Sequence, residues 1–126
     1  MIIGIGIDMV NVSRFAETIE RTPAIVDRLF LPGESAGPDG RLRPANSLAA
    51  RFAAKEAVAK ALGAPAGLSW HEVEVLQADS GRPTLVLIGA VAATAAGLGI
   101  DSWHVSLSHD GGAAVAMVVA ERRGLV

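Results

Sequence analysis

Residues 46–63 read Asn-Ser-Leu-Ala-Ala-Arg-Phe-Ala-Ala-Lys-Glu-Ala-Val-Ala-Lys-Ala-Leu-Gly, and the fold is decided by this stretch. Neither Pro nor Gly interrupts it before Gly63, and strong helix formers fill it. The spacing predicts one helix from Asn46 to Leu62, stopped by Gly63, which tolerates the backbone conformation that ends a helix. Glu56 and Lys60 fall on one face of that helix, one turn apart, and Ala49 and Ala53 share the face. The pair alone reads as an ordinary i,i+4 ion pair on a solvated surface. A sharper reading gives Glu56 a metal and Lys60 a phosphate, with the alanines leaving room for a ligand.

Toward the N-terminus, residues 2–8 alternate as a strand, with Ile3, Ile5 and Ile7 on one face and Gly4, Gly6 and Asp8 on the other. Two glycines before a carboxylate predict open space beside Asp8. Asn11 is a helix N-cap candidate. The helix it opens runs over 12–21, burying Val12, Phe15, Ala16 and Ile19 and turning Arg14, Thr18 and Arg21 outward. A short helix follows Pro23 through about Leu29. The Gly- and Pro-rich run 31–44 reads as a loop.

Toward the C-terminus, strands over 70–76 and 84–88 flank the turn Ser80-Gly81-Arg82-Pro83 and form a hairpin. An Ala-rich helix over 90–98 comes next. Strands over 103–107 and 113–120 flank a turn at His109-Asp110-Gly111-Gly112, and residues 122–126 read as a frayed tail. The order β-α-α-α-β-β-α-β-β with two hairpins predicts an α+β fold on a mainly antiparallel sheet, packed against a long central helix and shorter ones. No internal repeat or linker divides the chain, so 1–126 is expected to be a single domain.

Composition narrows the chemistry. The net charge of −2 supplies no global basic field for nucleic acid. With no Cys, there is no disulfide framework, thiolate metal site or cysteine nucleophile, which fits a reducing cytoplasm. The apolar run 85–100 is broken by three Gly and is shorter than the ~20 residues a spanning helix needs, so no membrane span is expected. The first residues carry no basic start and no long apolar run, so no secretory leader is expected. The three His residues lack zinc-ligand spacing, and neither a nucleophile elbow nor a phosphate-cradling Gly-Lys-Ser/Thr loop occurs. Asp8 alone reads as a strand-ending or capping Asp; paired with Glu56 from a separate element, it would suit Mg²⁺ if a substrate's phosphate oxygens and water completed the octahedron. His109 at a strand end can carry charge near phosphate, and Asp110 beside it can orient a nucleophile or accept a proton.

Three motifs stand in order: Gly6-Ile7-Asp8, then Phe52-x-x-Lys55-Glu56-Ala57-x-x-Lys60, then Ser108-His109-Asp110-Gly111. Together they resemble the signature of the phosphopantetheinyl transferase superfamily. The near-N-terminal Asp, the run from Arg51 to Ala57 and the short length resemble its holo-[acyl-carrier-protein] synthase branch. The resemblance implies transfer of 4′-phosphopantetheine from coenzyme A to a serine of apo acyl carrier protein, giving adenosine 3′,5′-bisphosphate. It implies Mg²⁺ on Asp8 and Glu56, touching the coenzyme A pyrophosphate. Lys60, His109 and Arg51 are then expected at phosphates, Ser108 near them, and Gly81 to Pro83 at the adenine end of a neighbouring subunit's site. Arg14 and Arg21, two turns apart, are expected to engage the acidic carrier protein. The branch forms homotrimers with sites between subunits. The carrier serine is the nucleophile, and Asp110, Glu56 acting through a water, and His109 are the candidates for deprotonating it, a carboxylate being preferred because a His at phosphate tends to stay protonated. Leu31-Pro32-Gly33-Glu34 departs from the Thr-x-x-Glu of many relatives and leaves the role of Glu34 open. Two other classes compete: a non-catalytic module that binds nucleotide phosphates without needing the two acids, and an unrelated α+β domain in which these motifs are structural.

Overall fold

The computed structural model describes residues 1–124. Strand β1 (Ile2–Asn11) leads into α1 (Val12–Arg21). The Asn11 side chain accepts a hydrogen bond from the Arg14 N–H at 2.9 Å, so the expected N-cap is made. Helix α2 (Ile25–Leu29) follows, and the run read as a loop contains a one-turn helix, α3 (Pro32–Ser35). The long helix α4 (Ala45–Ala61) starts one residue earlier than expected, directly after Pro44. A 3₁₀ turn over Trp70–Glu72 precedes β2 (Val73–Gln77), which pairs with β3 (Pro83–Leu87). Helix α5 (Gly89–Gly97), β4 (Ser102–Asp110) and β5 (Ala113–Glu121) complete the chain.

The sheet runs β1-β5-β4, antiparallel throughout, and β2-β3 forms a separate hairpin. The fold is therefore α+β, with α4 lying across the three-stranded sheet. Ala114, Ala116, Val118 and Ala120 of β5 are fully buried beneath it. Two apolar clusters meet along α4. One joins Ala53, Ala57, Val58 and Ala61 to β2, β5 and α5. The other joins Leu48, Ala49 and Ala50 to Phe15, Val26, Leu29 and Phe30.

The glycines of β1 have a different use from the one expected. A Cβ at Gly4 would overlap the Ala61 carbonyl, and one at Gly6 the Ala57 carbonyl. The space beside them is filled by the backbone of α4, which approaches only because both positions lack a side chain. The second expected turn is tighter than the reading: His109 and Asp110 still pair with Ala114 and Ala113, and only Gly111 and Gly112 turn the chain. Both adopt positive φ, 57° and 80°, as a two-residue hairpin turn demands. Residues 122–124 are not frayed, because the Asp101 carboxylate accepts from the N–H groups of Arg123 and Gly124. Leu125 and Val126, the end of that expected tail, lie outside the described residues. Among the described residues, no helix is long and apolar enough to cross a membrane.

Candidate active site

Packing of α4 on the glycines of β1 sets Asp8 beside the exposed flank of the helix. The Lys60 ammonium donates to Asp8 Oδ1 at 3.0 Å and to the Ile7 carbonyl at 2.9 Å. Its side chain is half exposed, whereas that of Asp8 is largely covered. One turn earlier on the same face, Glu56 has its pKa raised, mainly by burial and further by the Asp8 charge, with Lys60 opposing the rise. Among the described residues the Glu56 carboxylate accepts no hydrogen bond. A half-buried carboxylate without a donor, within reach of the Asp8 charge, gives with Asp8 a pair of acids that suits a divalent cation. No group of three or more metal-ligating side chains occurs among the described residues. A cation held here would draw its remaining ligands from water and substrate, which is the habit of Mg²⁺.

The other expected site residues lie elsewhere in the chain. Asp8 on β1 stands opposite Ala116, and His109 on β4 opposite Ala114, so the whole of β5 separates them. His109 and Asp110 border an open hollow of about 340 Å³ with Asn46, at the other end of α4. Ser108, next to them, is exposed. Arg51 precedes Glu56 by five residues and is turned about 140° from it around the helix. Its guanidinium is buried, bonded to Ser47 Oγ at 2.6 Å, and its Nε has no partner among the described residues. Burial and the nearby Arg43 charge lower its pKa, while Glu34 raises it. Gly81 and Pro83 lie on the β2–β3 hairpin, where Pro83 and Arg82 border a wide groove of about 1020 Å³ against Trp103 and His104 of β4. Arg14 and Arg21 are exposed on α1, and Arg21 lies 3.9 Å from Glu17.

Two features escape a sequence reading. Lys55 on α4 is buried and paired at 2.8 Å with Glu34, both side chains being fully inaccessible. No local signal links residues 21 apart in the chain. Phe52, one turn before Glu56 on its face, stacks on Phe15 of α1 at 5.6 Å and tilts against Trp70 at 5.4 Å between ring centroids. The second link was half legible, since the apolar stripe on α1 already marked Phe15. Finally, the sheet face away from α4 is apolar on β1 and exposed: Ile5, Ile7 and Met9 are 55%, 59% and 69% accessible.

Comparison with known proteins matches this arrangement. The model of the 4′-phosphopantetheinyl transferase superfamily matches residues 4–118. A holo-[acyl-carrier-protein] synthase of Streptomyces avermitilis is 62% identical over 120 residues, covering 95% of this chain and 98% of that protein. One from Salinispora arenicola is 59% identical over 122 residues, covering 97% of this chain and 100% of that protein. The crystal structure of holo-[acyl-carrier-protein] synthase from Neisseria meningitidis superposes with a TM-score of 0.86 at 32% identity, covering 97% of this chain and 100% of that one. The Helicobacter pylori enzyme, crystallised in complex with coenzyme A, superposes with a TM-score of 0.81 at 30% identity, over 93% and 99% of the two chains. With one family model spanning nearly the whole chain and full-length relatives near 60% identity, the chain belongs to the holo-[acyl-carrier-protein] synthase family of phosphopantetheinyl transferases.

Proposed function

We propose that this chain, acting as one domain in the cytoplasm, transfers 4′-phosphopantetheine from coenzyme A to a serine of apo acyl carrier protein, releasing adenosine 3′,5′-bisphosphate. The observation that carries the proposal is the cluster of Asp8, Glu56 and Lys60 on the exposed flank of α4, in a chain of this family. Asp8 and Glu56 would hold Mg²⁺. When bound there, the ion supplies Lewis-acid stabilisation of pyrophosphate charge.

The chain's own residues position and neutralise. Lys60 now rests on Asp8; its half-exposed ammonium is free to exchange part of that contact for a phosphate oxygen. Arg51 has a buried Nε–H with no partner among the described residues, suited to a further phosphate oxygen. His109 presents its imidazole to phosphate, with Ser108 and Asp110 beside it. A carboxylate takes the serine proton, Asp110 directly or Glu56 through a water. The turn at Gly81 to Pro83 lines the adenine end. Arg14 and Arg21, exposed on α1, receive the acidic carrier protein.

Asp8 and His109 flank β5, two strand spacings or roughly 10 Å apart, and a second copy that brought its own His109 to Asp8 would close the site. The exposed apolar face of Ile5, Ile7 and Met9, continued by Met117 at 44%, suits burial in a homotrimer with sites between subunits. The test incubates the chain with apo carrier protein, coenzyme A and Mg²⁺ and reads the carrier's mass. A gain of one phosphopantetheine, abolished by chelation, is expected. An unchanged mass with active controls would sink the assignment.

A further inference from the structure

Lys55 and Glu56 are adjacent in sequence and point about 100° apart around α4. Ala57, whose carbonyl backs onto Gly6, lies about 200° from Lys55. The helix is thus held from two opposite sides, with Glu56 projecting between them. The sheet side is a contact of small groups. It allows close approach, and the directional contact across it, from the Lys60 ammonium to the Ile7 carbonyl and Asp8, runs through a long, half-exposed side chain that can follow a roll of α4 about its axis.

The other side is directional. The Lys55 ammonium donates to Glu34 Oε1 at 2.8 Å, to the Trp70 carbonyl at 2.8 Å and to the Val73 carbonyl. Glu34 Oε1 also accepts from the Leu31 N–H at 2.9 Å, and its Oε2 from the Val75 N–H at 2.8 Å. All three protons of the ammonium and both carboxylate oxygens are used, and α3, the 3₁₀ turn, β2 and α4 are tied at one point. Burial lowers the Lys55 pKa, while the hydrogen bond and charge of Glu34 pull it back up. Among the described residues Glu56 accepts no hydrogen bond that would aim it, so its direction is that of α4. A roll of about 10° moves a group about 6 Å from the helix axis by about 1 Å. A displacement of about 1 Å at a reacting centre can cost about 100-fold in rate.

We propose that Lys55 and Glu34 are positioning residues: they set the roll of α4 and so hold Glu56 opposite Asp8 for a divalent cation. The inference rests on reading Asp8 and Glu56 as the metal ligands. It accounts for an ion pair kept in the core, where apolar replacements of similar volume are often equally stable. Apolar packing would accept several rolls of the helix; three directional acceptors accept one.

The test is Mn²⁺ binding to the full chain with coenzyme A present, read from the electron paramagnetic resonance of free Mn²⁺, alongside urea unfolding. Glu34→Gln/Lys55→Met removes both charges and is expected to recover stability relative to Lys55→Met alone. It is nonetheless expected to weaken Mn²⁺ binding about 10–100-fold, as loss of groups that orient a metal ligand does. Glu34→Gln alone, which keeps one oxygen, is the milder variant should the double not fold, and it is expected to weaken binding less. Ile100→Ala, a core truncation away from the pair, is expected to lose stability with unchanged Mn²⁺ affinity. Wild-type affinity in the charge-free variants, or an equal loss in Ile100→Ala, overturns the positioning role. If Asp8→Asn binds Mn²⁺ as the wild type does, the metal reading falls and the positioning role with it.

Discussion

Two lysines five residues apart on α4 have opposite fates. Lys55 is inaccessible to solvent and bound to a carboxylate and two carbonyls. Lys60 is 51% exposed and rests on Asp8 at 3.0 Å, at the surface. Chemically they are the same group on the same helix, separated by about 140° of rotation. The difference shows how one element divides its work. A buried cation with every donor filled holds the architecture, because any change leaves charge stranded in the core. An exposed cation with a replaceable partner is free to take up phosphate, because water and ligand compete there at little cost.

The strongest way to break the comparison is stability. Lys55→Met leaves Glu34 charged and unpaired in the core and is expected to cost about 3–5 kcal/mol, whereas Lys60→Met is expected to cost less than about 1 kcal/mol, both by urea unfolding. Similar losses would abolish the distinction. Activity should reverse the ranking at the surface. With apo carrier protein and coenzyme A saturating, Lys60→Met is expected to lower kcat about 10²–10³-fold, the size seen when one donor to developing charge is lost.

The acids beside Lys60 sharpen the comparison through pH. The Glu56 pKa is raised, so between its ordinary value and the raised one the folded state binds more protons than the unfolded. Without metal, this contribution to stability is fully present below the unfolded value and is lost as pH rises through the folded value. Glu56→Gln should remove that slope in urea unfolding. Metal binding has the opposite sense: affinity falls as pH drops through the raised pKa, because protons compete for the carboxylate. Asp8→Asn, by removing the neighbouring charge, should lower the Glu56 pKa toward its ordinary value in a carboxyl NMR titration. The smallest effect lies farthest from α4. Arg14→Glu is expected to raise KM for carrier protein about tenfold, equivalent to roughly 1.4 kcal/mol, with KM for coenzyme A unchanged and weaker salt dependence. Equal changes in both would remove the docking role from α1.

Much of this was legible along the chain. The uninterrupted helix formers of α4, the Asn11 cap, the apolar stripe of α1 and both hairpins are written in short-range periodicity and turn chemistry, which depend on a residue's immediate neighbours. So was the placing of Glu56 and Lys60 on one face, since helical spacing alone dictates it. The glycines of β1 show where such reading stops. Their alternation with isoleucine marked a bare side of the strand, but bareness reads alike whether ligand, water or a helix backbone fills it. Glu34 shows the same limit: nothing near it in sequence reveals that its carboxylate is buried, because its partners Lys55 and Val75 come from other elements.

The sequence by itself determined the main elements, the facing of Glu56 and Lys60 along α4, and, through three motifs in order, the family. Only the tertiary structure decided that α4 seats its backbone on Gly4 and Gly6, that Lys55 points inward while Lys60 stays at the surface, and that β5 stands between Asp8 and His109. The physical reason is range. Backbone propensity and periodicity act over a few residues, whereas burial, close backbone approach and the satisfaction of a buried charge depend on groups the chain brings together only when it folds.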